Sequence, residues 1–312
     1  MDSSHVDENS GRGKCCTIIV TYNGAKWIEN CISSLASSSF PTDVLIIDNG
    51  STDNTLDIVE RLPTSTQIVK TNENLGFGGA NNIGMKLALK QGYDYFFLLN
   101  QDTWVEPDAI EFLIEGLTKN PEYGILSPIH MNGKGDAFDK NFEKFTQRNK
   151  FTSLPFDQAN VEIHTSPIEV TFVNAAAWML PRTCIQKVGV FHPLFHHYAE
   201  DNNYCHRVTY QGMKIGILKE SIIYHDREYR NDSYSAKMDF DRETVKSLLN
   251  PNKNLTLVHS LLIAFAKIIE ISTKIKFYKI PGFFGWAFFK FFVLRKRVKD
   301  FDGTRLYKFE LQ

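Results

Sequence analysis

The chain has 312 residues, of which 43% are hydrophobic and 23% are charged, a composition typical of a globular protein with a sizeable core. The formal net charge is -1, which excludes a protein that binds nucleic acid through overall positive charge. Basic residues are concentrated near the C-terminus instead, where nine Lys and Arg residues accompany one acidic residue, Glu270, between residues 260 and 299.

The cysteines and the N-terminal residues indicate the compartment. The chain contains five cysteines, Cys15, Cys16, Cys31, Cys184 and Cys205. They are odd in number and show no CxxC spacing, which predicts buried thiols in a reducing compartment. Residues 1–14 are polar and lack an apolar stretch, so we expect a mobile tail that is neither a signal peptide nor a membrane span.

The first hundred residues alternate between short apolar runs and segments with helical spacing. The runs predict strands at residues 15–21, 41–48, 67–70 and 95–99. The amphipathic segments predict helices at residues 26–34, 55–62 and 83–90. This alternation predicts a parallel, doubly wound sheet whose ligand crevice lies beyond the carboxyl ends of the strands.

Polar residues and glycines follow each predicted strand. They are Thr21, Tyr22 and Asn23 after the first, Asp48, Asn49 and Asp53 after the second, Asn74, Gly76, Phe77 and Asn81 in the glycine-rich segment 72–82 after the third, and Asn100, Gln101 and Asp102 after the fourth. A carboxylate such as Asp48 suits the N–H of a pyrimidine base or ribose hydroxyls. Glycines before a helix suit a phosphate, although the pattern is neither a dinucleotide fingerprint nor a P-loop.

Each of these segments also has an ordinary structural interpretation. Asp48 and Asp53 could belong to a turn and a helix cap, and Asp102 alone would be a weak metal ligand at a strand end. The adjacent carboxylates Glu200 and Asp201 could provide a general base or simply favour a helix N-terminus. His225, at a predicted strand end, could bind a metal or be a surface imidazole.

The second half predicts a mixture of elements. We expect helices at residues 108–118, 183–188 and 200–211, ordered structure at 170–180, and strands at 214–218 and 221–224. The polar segment 131–167 predicts a loop or small hairpin over the site, and residues 191–198 predict a loop rich in aromatic residues and histidine.

The C-terminal segment predicts two apolar helices, at residues 255–271 and 283–294. Neither reaches the roughly twenty uninterrupted apolar residues that span a bilayer. An aromatic helix with basic flanks is typical of one that lies in a membrane interface. The alternatives are packing on the preceding α/β domain and a homodimer interface.

The order of the motifs is more specific than any one of them. TYN after the first strand, DNGSTD after the second, NLGFGGANN, a strand ending in NQD, and later an ED pair and a histidine together resemble the inverting GT-A-fold glycosyltransferase family 2, specifically its rhamnosyltransferase-like branch. The resemblance covers approximately residues 15–230. It implies a mostly parallel α/β sheet flanked by helices, with a C-terminal helical appendage.

The resemblance also implies roles for the site residues. The polar residues and glycines after the first four strands would bind the nucleotide sugar. Residues 100–102 are the equivalent of the family's DxD motif, with Asn100 in place of the first Asp. The last residue of this motif, Asp102, would bind Mg²⁺ or Mn²⁺ together with His225. Asp201 would be the general base, in preference to Glu200, in a loop where His192 replaces a more usual Asp. The acceptor side would comprise Asn174, Ala175, Ala176, His197 and Tyr198.

The implied reaction is inverting transfer from a UDP- or dTDP-sugar, with a rhamnose-type donor, to a saccharide or polyprenyl-linked saccharide in surface polysaccharide or glycolipid synthesis. We expect a cytoplasmic protein, peripheral on the inner face of the membrane, that binds no nucleic acid. The predicted parts are the tail 1–14, the domain 15–230 with a nucleotide half (15–102) and an acceptor half (103–230), and the segment 231–312. The alternative is a non-catalytic sugar-nucleotide-binding or assembly protein. A sugar-nucleotide pyrophosphorylase is disfavoured because residues 21–26 lack a glycine-rich basic loop.

Overall fold

The computed structural model describes residues 12–63, 66–148, 166–195, 198–227, 235–253, 255–274, 276 and 279–309. Its strands are β1 Cys15–Thr21, β2 Thr42–Asp48, β3 Thr66–Lys70, β4 Tyr95–Asn100, β5 Thr103–Val105, β6 Tyr123–Asn132, β7 Ile168–Val170, β8 Ala177–Pro181 and β9 Lys214–His225. Its helices are α1 Ile28–Ala36, α2 Thr55–Arg61, α3 Gly76–Lys90, α4 Ala109–Lys119, α5 Lys140–Arg148, α6 Arg182–Val188, α7 Glu200–Tyr210, α8 Ala236–Leu248, α9 Leu257–Ser272 and α10 Ile280–Asp300, followed by a 3-10 helix, Gly303–Tyr307. Most of the predicted tail lies outside these residues.

The strands form a single mixed sheet in the order β3-β2-β1-β4-β8-β6-β9-β5, with β7 also paired to β9. The first four strands in chain order are mutually parallel, whereas β8 is antiparallel to both β4 and β6. Ile, Val, Phe and Leu side chains of β1, β2 and β4 are buried on both faces. One core lies beneath α3, α6 and α7 and the other beneath α1 and α4. The predicted helix-flanked, mostly parallel α/β sheet is confirmed.

The sequence pattern was wrong about the start of α3. It predicted a loop up to residue 82 because glycines disfavour helices, but the helix begins at Gly76. A methyl group on Gly84 would lie 2.4 Å from Cγ2 of Ile18, and one on Gly78 would lie 3.1 Å from Cβ of Phe191. Close packing therefore explains two glycines of this helix: Gly78, which the pattern assigned to the loop and which faces the aromatic loop, and Gly84, which faces β1.

The acceptor half also differs from the prediction. Strand β6 and helix α8 were not predicted, and the two strands expected at 214–218 and 221–224 are one strand, β9. Its pairing with β6 shifts register between Pro128 and Ile129, which explains the interruption in its apolar pattern. The predicted loop 131–167 contains a small hairpin, closed by a bridge between Met131 and Phe138, and then α5, while 149–165 lie outside the described residues.

The C-terminal helices pack on one another and on the sheet domain. Their own core contains Phe240, Ala264, Ile268, Ile271, Phe283, Ala287 and Phe291. A second small cluster joins Phe195 and Ala199 to Val245 and Leu294, and Leu306 in the 3-10 helix accepts a hydrogen bond from the backbone N–H of Val190 at 3.0 Å. Helix α10 is longer than the predicted segment 283–294.

Two further predictions concern the thiols and the membrane. All five cysteines are free and buried, as expected. None of the helices in the described part of the chain combines the length and the apolarity needed to cross a bilayer.

Candidate active site

Sheet register brings the predicted nucleotide loops together. Thr21 at the end of β1 is paired with Asp48 at the end of β2, and Val20 is paired with Asn100 at the end of β4. Since parallel strands end at the same edge, the polar residues that follow them share one edge of the sheet. Asp48 and Thr21 are buried there, whereas Tyr22 is 45% exposed.

The loops after β1 and β2 are linked by hydrogen bonds. Oδ1 of Asn23, a residue with φ of 49°, accepts from the N–H of Thr52 at 2.8 Å. Oδ2 of Asp53 accepts from the N–H of Ala25 at 3.2 Å, and its Oδ1 accepts from the N–H of Thr55 at the start of α2. Asp53 thus links the β1 loop to the first residue of α2, while Asn54 is the N-cap residue of that helix.

Asn49 joins the β2 loop to the start of α3. Its Oδ1 accepts from the N–H of Leu75 at 2.8 Å, and its Nδ2 donates to Oδ1 of Asn74 at 3.0 Å. Oδ1 of Asn74 in turn accepts from the N–H of Gly76 at 2.9 Å, and Nδ2 of Asn81 donates to the Phe77 carbonyl at 3.0 Å. These amides shape the walls of the predicted donor site.

Gln101 fixes the loop after β1 to the end of β4. Its Oε1 accepts from Oγ1 of Thr21 at 2.6 Å and from the N–H of Tyr22 at 2.9 Å, while its Nε2 donates to the Tyr22 carbonyl at 3.2 Å. Because Gln101 is almost fully buried, this clamp positions the loop. Both polar ends of its amide group contact the protein.

Asp102 and His225 lie together as the resemblance implied. Oδ1 of Asp102 is 3.3 Å from Nε2 of His225, and both side chains are buried. The antiparallel pairing of β5 with β9 aligns Thr103 with His225, which explains the approach of residues distant in sequence. The next residue, Asp226, accepts hydrogen bonds from Nε1 of Trp27 at 2.8 Å and Nζ of Lys26 at 2.9 Å.

The donor chemistry of this pair suits a divalent cation. A carboxylate oxygen and an imidazole nitrogen at this separation can both bind Mn²⁺, and Mg²⁺ commonly takes one or two carboxylates together with substrate phosphates. Among the residues that the structure describes, no group of three or more His, Cys, Asp or Glu residues is arranged to hold a metal. A cation here would therefore take its remaining ligands from substrate and water.

The predicted acceptor residues line a cavity of about 200 Å³ beside this pair. Its walls are Phe77, Asn100, Asn174, Ala175, Ala176, Tyr198, Glu200, Asp201 and Arg227. Tyr198 and Ala199 both have left-handed backbones, with φ of 66° and 70°, which is uncommon outside glycine and often marks a functional site. His197 lies outside the described residues.

The two carboxylates at the start of α7 have unlike environments. Burial raises the pKa of Glu200 to about 7, and the charge of Asp201 adds to this rise. Burial also raises the pKa of Asp201, although hydrogen bonds from Asn202 and the charge of Lys246 oppose the effect. The hydrogen bonds that Asp201 accepts favour its ionised form, whereas the charge of Asp201 favours the neutral form of Glu200.

Sequence reasoning missed two charged residues near the site. Arg227 lines the cavity, two residues after His225. Asp139, which is 1% exposed, has Oδ2 3.6 Å from Nδ1 of His225. The neighbouring His225 was a signal that could have identified Arg227, whereas Asp139 reaches the site only through the hairpin after β6.

Comparison with known proteins gives a family. The family model described as "Glycosyl transferase family 2" matches residues 16–184. A poly-beta-1,6-N-acetyl-D-glucosamine synthase of Staphylococcus epidermidis is 31% identical over 113 residues, which are 35% of this chain and 27% of that protein. An N-acetylglucosaminyl-diphospho-decaprenol L-rhamnosyltransferase of Mycobacterium tuberculosis is 24% identical over 233 residues, which are 67% of this chain and 75% of that protein. The chain thus spans only about a quarter of the length of the staphylococcal relative.

Solved structures share the fold. The crystal structure of S. aureus TarS 1-349 in complex with UDP-GlcNAc has a TM-score of 0.62 at 18% identity, covering 91% of this chain and 82% of that one. The crystal structure of GalNAc-T7 with UDP, GalNAc and Mn²⁺ has a TM-score of 0.54 at 12% identity, covering 86% and 57%. At these identities the likeness concerns the fold alone. The family match spans more than half of the sequence, so the chain belongs to glycosyltransferase family 2, and its fold is GT-A-like.

Proposed function

We propose that this glycosyltransferase transfers a sugar, with inversion, from a UDP- or dTDP-sugar to a hydroxyl of a saccharide or polyprenyl-linked saccharide. The observation that carries the proposal is the cleft in which the Asp102–His225 pair lies beside the cavity lined by Glu200 and Asp201. The name of the mycobacterial relative supports a rhamnose-type donor and a lipid-linked acceptor, and the UDP-GlcNAc complex of TarS supports a uridine nucleotide. Surface polysaccharide or glycolipid synthesis is the process that these substrates fit.

The nucleotide would lie along the loops after β1 and β2. Asp48 would accept from the base or ribose, with Thr21, Tyr22 and Asn23 beside it, and the start of α3 would line the donor. A sugar nucleotide carries a diphosphate, and the guanidinium of Arg227 at the cavity wall is suited to a phosphate oxygen. Thus the cleft would hold the negatively charged sugar nucleotide between loops that form hydrogen bonds with it and the cationic side chain of Arg227.

Asp201 would act as the general base. Hydrogen bonds from Asn202 and the charge of Lys246 favour its ionised form, which suits it to take the acceptor's hydroxyl proton. The acceptor oxygen would then attack the anomeric carbon from the face opposite the leaving nucleotide, which inverts the configuration. Glu200 would remain largely protonated up to about pH 7 and limit the negative charge beside the base.

Asp102 and His225 would hold Mg²⁺ or Mn²⁺ with the diphosphate. When bound, such an ion supplies Lewis-acid stabilisation of the charge that develops on the leaving nucleotide. Asn100 lies at the cavity wall, and its backbone N–H donates to the Ala176 carbonyl at 2.9 Å, so β4 also positions the acceptor-side loop. The same strand would therefore support both reacting partners.

The base assignment is tested by Asp201→Asn. We expect transfer from UDP- and dTDP-sugars, including a rhamnose donor, to fall by about 10²–10⁴-fold, because general base catalysis contributes that much. Binding of UDP with Mn²⁺, measured by calorimetry, should stay within about threefold, since the amide keeps the size of the carboxylate. Asp57→Asn on the exposed face of α2 is the matched control and should leave both unchanged.

Two outcomes would count against the proposal. Transfer that persists in Asp201→Asn would rule out this residue as the base. Failure of the wild-type protein to bind any nucleotide sugar in a calorimetric panel, with Mg²⁺ and with Mn²⁺, would reject the reaction itself.

We also propose that the chain is a peripheral protein of the cytoplasmic membrane face. Helices α9 and α10 expose a continuous set of large apolar side chains, Val258, Leu262, Phe265, Ile269, Phe288, Phe289 and Phe292, each at least 43% exposed. Between them lies an apolar groove of about 290 Å³. The last turns of α10 add Arg295, Lys296, Arg297 and Lys299. Exposed aromatic side chains beside clustered basic ones suit a surface of anionic lipid, close to a lipid-linked acceptor.

Sedimentation with vesicles containing anionic lipid tests this surface. We expect Phe288→Ser combined with Phe289→Ser to reduce the bound fraction at least tenfold, because both side chains are 59–70% exposed and lose their apolar contact with lipid. Tyr210→Ser on α7, 60% exposed, is the control and should bind as the wild type does. The wild type could instead fail to bind the vesicles and form a dimer in light scattering that the double variant does not form. That result would assign this surface to a homodimer interface.

A further inference from the structure

His225 lies between two buried carboxylates. Nε2 of its ring is 3.3 Å from Oδ1 of Asp102, and Nδ1, on the other side of the ring, is 3.6 Å from Oδ2 of Asp139. All three side chains are at most 1% exposed. Asp139 is outside the cavity wall and has no role in the reaction proposed above.

We propose that Asp139 is a positioning residue that sets the tautomer and the ring orientation of His225 for metal binding, an inference that rests on the proposed metal site. A neutral imidazole carries one N–H and one lone pair. With the proton on Nδ1 facing Asp139, the lone pair on Nε2 faces Asp102, where the cation would be shared. Metal-binding histidines almost always donate their other ring N–H to a carboxylate, carbonyl or water.

The carboxylate of Asp139 is itself held in place. Its Oδ1 accepts from the backbone N–H groups of Asn141 and Phe142, both at 3.0 Å, at the start of α5. Its own N–H donates to the His130 carbonyl at 2.9 Å. One oxygen therefore caps the helix, and this leaves the other directed at His225.

The distance from Asp139 to His225 fits an unliganded site. A separation of 3.6 Å is longer than a hydrogen bond, and such contacts are commonly long before ligand binds and shorten in the complex. A small rotation of the ring toward Asp139 would move Nε2 away from direct contact with Asp102 and make room for a cation. The hairpin after β6 thereby acquires a function at the donor site.

Asp139→Asn separates the two roles of this side chain. Asn is as good a helix cap as Asp, so the amide oxygen keeps the bonds to α5 and the NH₂ group, a donor, faces Nδ1. That arrangement favours the tautomer with the proton on Nε2, which opposes metal binding. We expect the affinity for Mn²⁺ in the presence of UDP, measured by electron paramagnetic resonance, to fall about 10–100-fold, with the melting temperature nearly unchanged.

The control variants distinguish the inference from its premise. Asp136→Asn in the same hairpin, where Oδ1 of Asp136 accepts from Asn132, should bind Mn²⁺ as the wild type does. His225→Gln should weaken Mn²⁺ binding, and adding Asp139→Asn to it should cause no further loss, because Asp139 acts through His225. A purely structural role would instead add the same loss in both backgrounds.

The remaining outcomes distinguish a failure of the role of Asp139 from a failure of the metal site. Unchanged Mn²⁺ affinity in Asp139→Asn, with a loss in His225→Gln, would overturn the role of Asp139 and leave the metal site standing. Unchanged affinity in both variants would reject the metal site itself, and with it this inference. If Asp139→Asn lowers the melting temperature strongly, the comparison within the His225→Gln background still decides.

Discussion

At the scale of single residues, the adjacent carboxylates in the site differ in the hydrogen bonds that they accept. Glu200 is 6% exposed, and its Oε2 has no hydrogen-bond partner among the described residues. Asp201 accepts hydrogen bonds from both the N–H and the side chain of Asn202. An unpaired buried carboxyl prefers its neutral form, whereas one that accepts hydrogen bonds tolerates charge. This contrast is the basis for assigning the base to Asp201.

The raised pKa of Glu200 predicts a pH dependence of stability. A carboxyl whose pKa is higher in the folded protein contributes stability that is full below its unfolded pKa, near 4.5, and is lost as the pH rises through about 7. The free energy of unfolding is measured in urea at about pH 5 and about pH 8 for the wild type and for Glu200→Gln. We expect the wild type to lose on the order of 2 kcal/mol more of this free energy than the variant between the two pH values. Identical pH dependence in the two proteins would contradict a raised pKa.

The sequence predicted the site residues that directly follow strands, but it did not predict that Asp139 would meet His225. Asp48, Asn100 and Asp102 come directly after apolar runs, so their position at the sheet edge follows from local pattern. Asp139 has no such pattern. Asp139 meets His225 only because β6 and β9 pair and a hairpin turns back from the end of β6.

At the scale of elements, α3 shows how tertiary contacts override local propensity. Glycines reduce helix propensity, yet this helix contains four of them, and the aromatic loop and β1 approach the backbone closely at two, Gly78 and Gly84. The side-chain oxygen of Asn49 accepts a hydrogen bond from the backbone N–H of Leu75, immediately before the helix. A propensity pattern contains neither contact, and this explains why the predicted helix began too late.

The packing of α3 predicts opposite effects for two glycine substitutions. Gly84→Ala should destabilise the protein by about 1–3 kcal/mol, because its methyl group would lie 2.4 Å from buried Ile18. Gly285→Ala in the interior of α10 meets nothing within 4 Å and should stabilise by up to about 1 kcal/mol through helix propensity. Both are measured by chemical denaturation. Equal effects would mean that α3 is not packed as closely as the structure has it.

At the scale of the whole molecule, the C-terminal segment closes back on the sheet domain. The backbone carbonyl oxygen of Leu306 accepts a hydrogen bond from the backbone N–H of Val190, and the ring centroids of His192 and Phe301 are 4.3 Å apart. The loop that carries His192 leads into α7 and its carboxylates. The C-terminal segment therefore packs against the loop that leads to Glu200 and Asp201, while the apolar side chains on α9 and α10 remain exposed.

This closure predicts a difference between two glycines with positive φ. Gly189 (φ 79°) would place a methyl group 2.5 Å from the Leu306 carbonyl oxygen, whereas Gly212 (φ 72°) meets nothing within 4 Å. Gly212→Ala should cost about 1–2 kcal/mol for backbone conformation alone. Gly189→Ala should cost about 1–3 kcal/mol more and expose the C-terminus to protease.

Chemical denaturation and limited proteolysis measure these effects. A cost for Gly189→Ala no larger than that for Gly212→Ala, with an uncut C-terminus, would show that the 3-10 helix is not docked at this position.

The sequence by itself determined the fold class, the family and the loops at the sheet edge, because buried strands and the polar residues after them are local patterns. It did not contain β6 as a recognisable pattern, the early start of α3 or the partnership of Asp139 with His225. Those depend on which segments approach one another, and such contacts are set by packing across the whole chain. Tertiary structure alone therefore decided how Asp102 meets His225 and how Asn100 and Arg227 come to line one cavity with the carboxylates of α7.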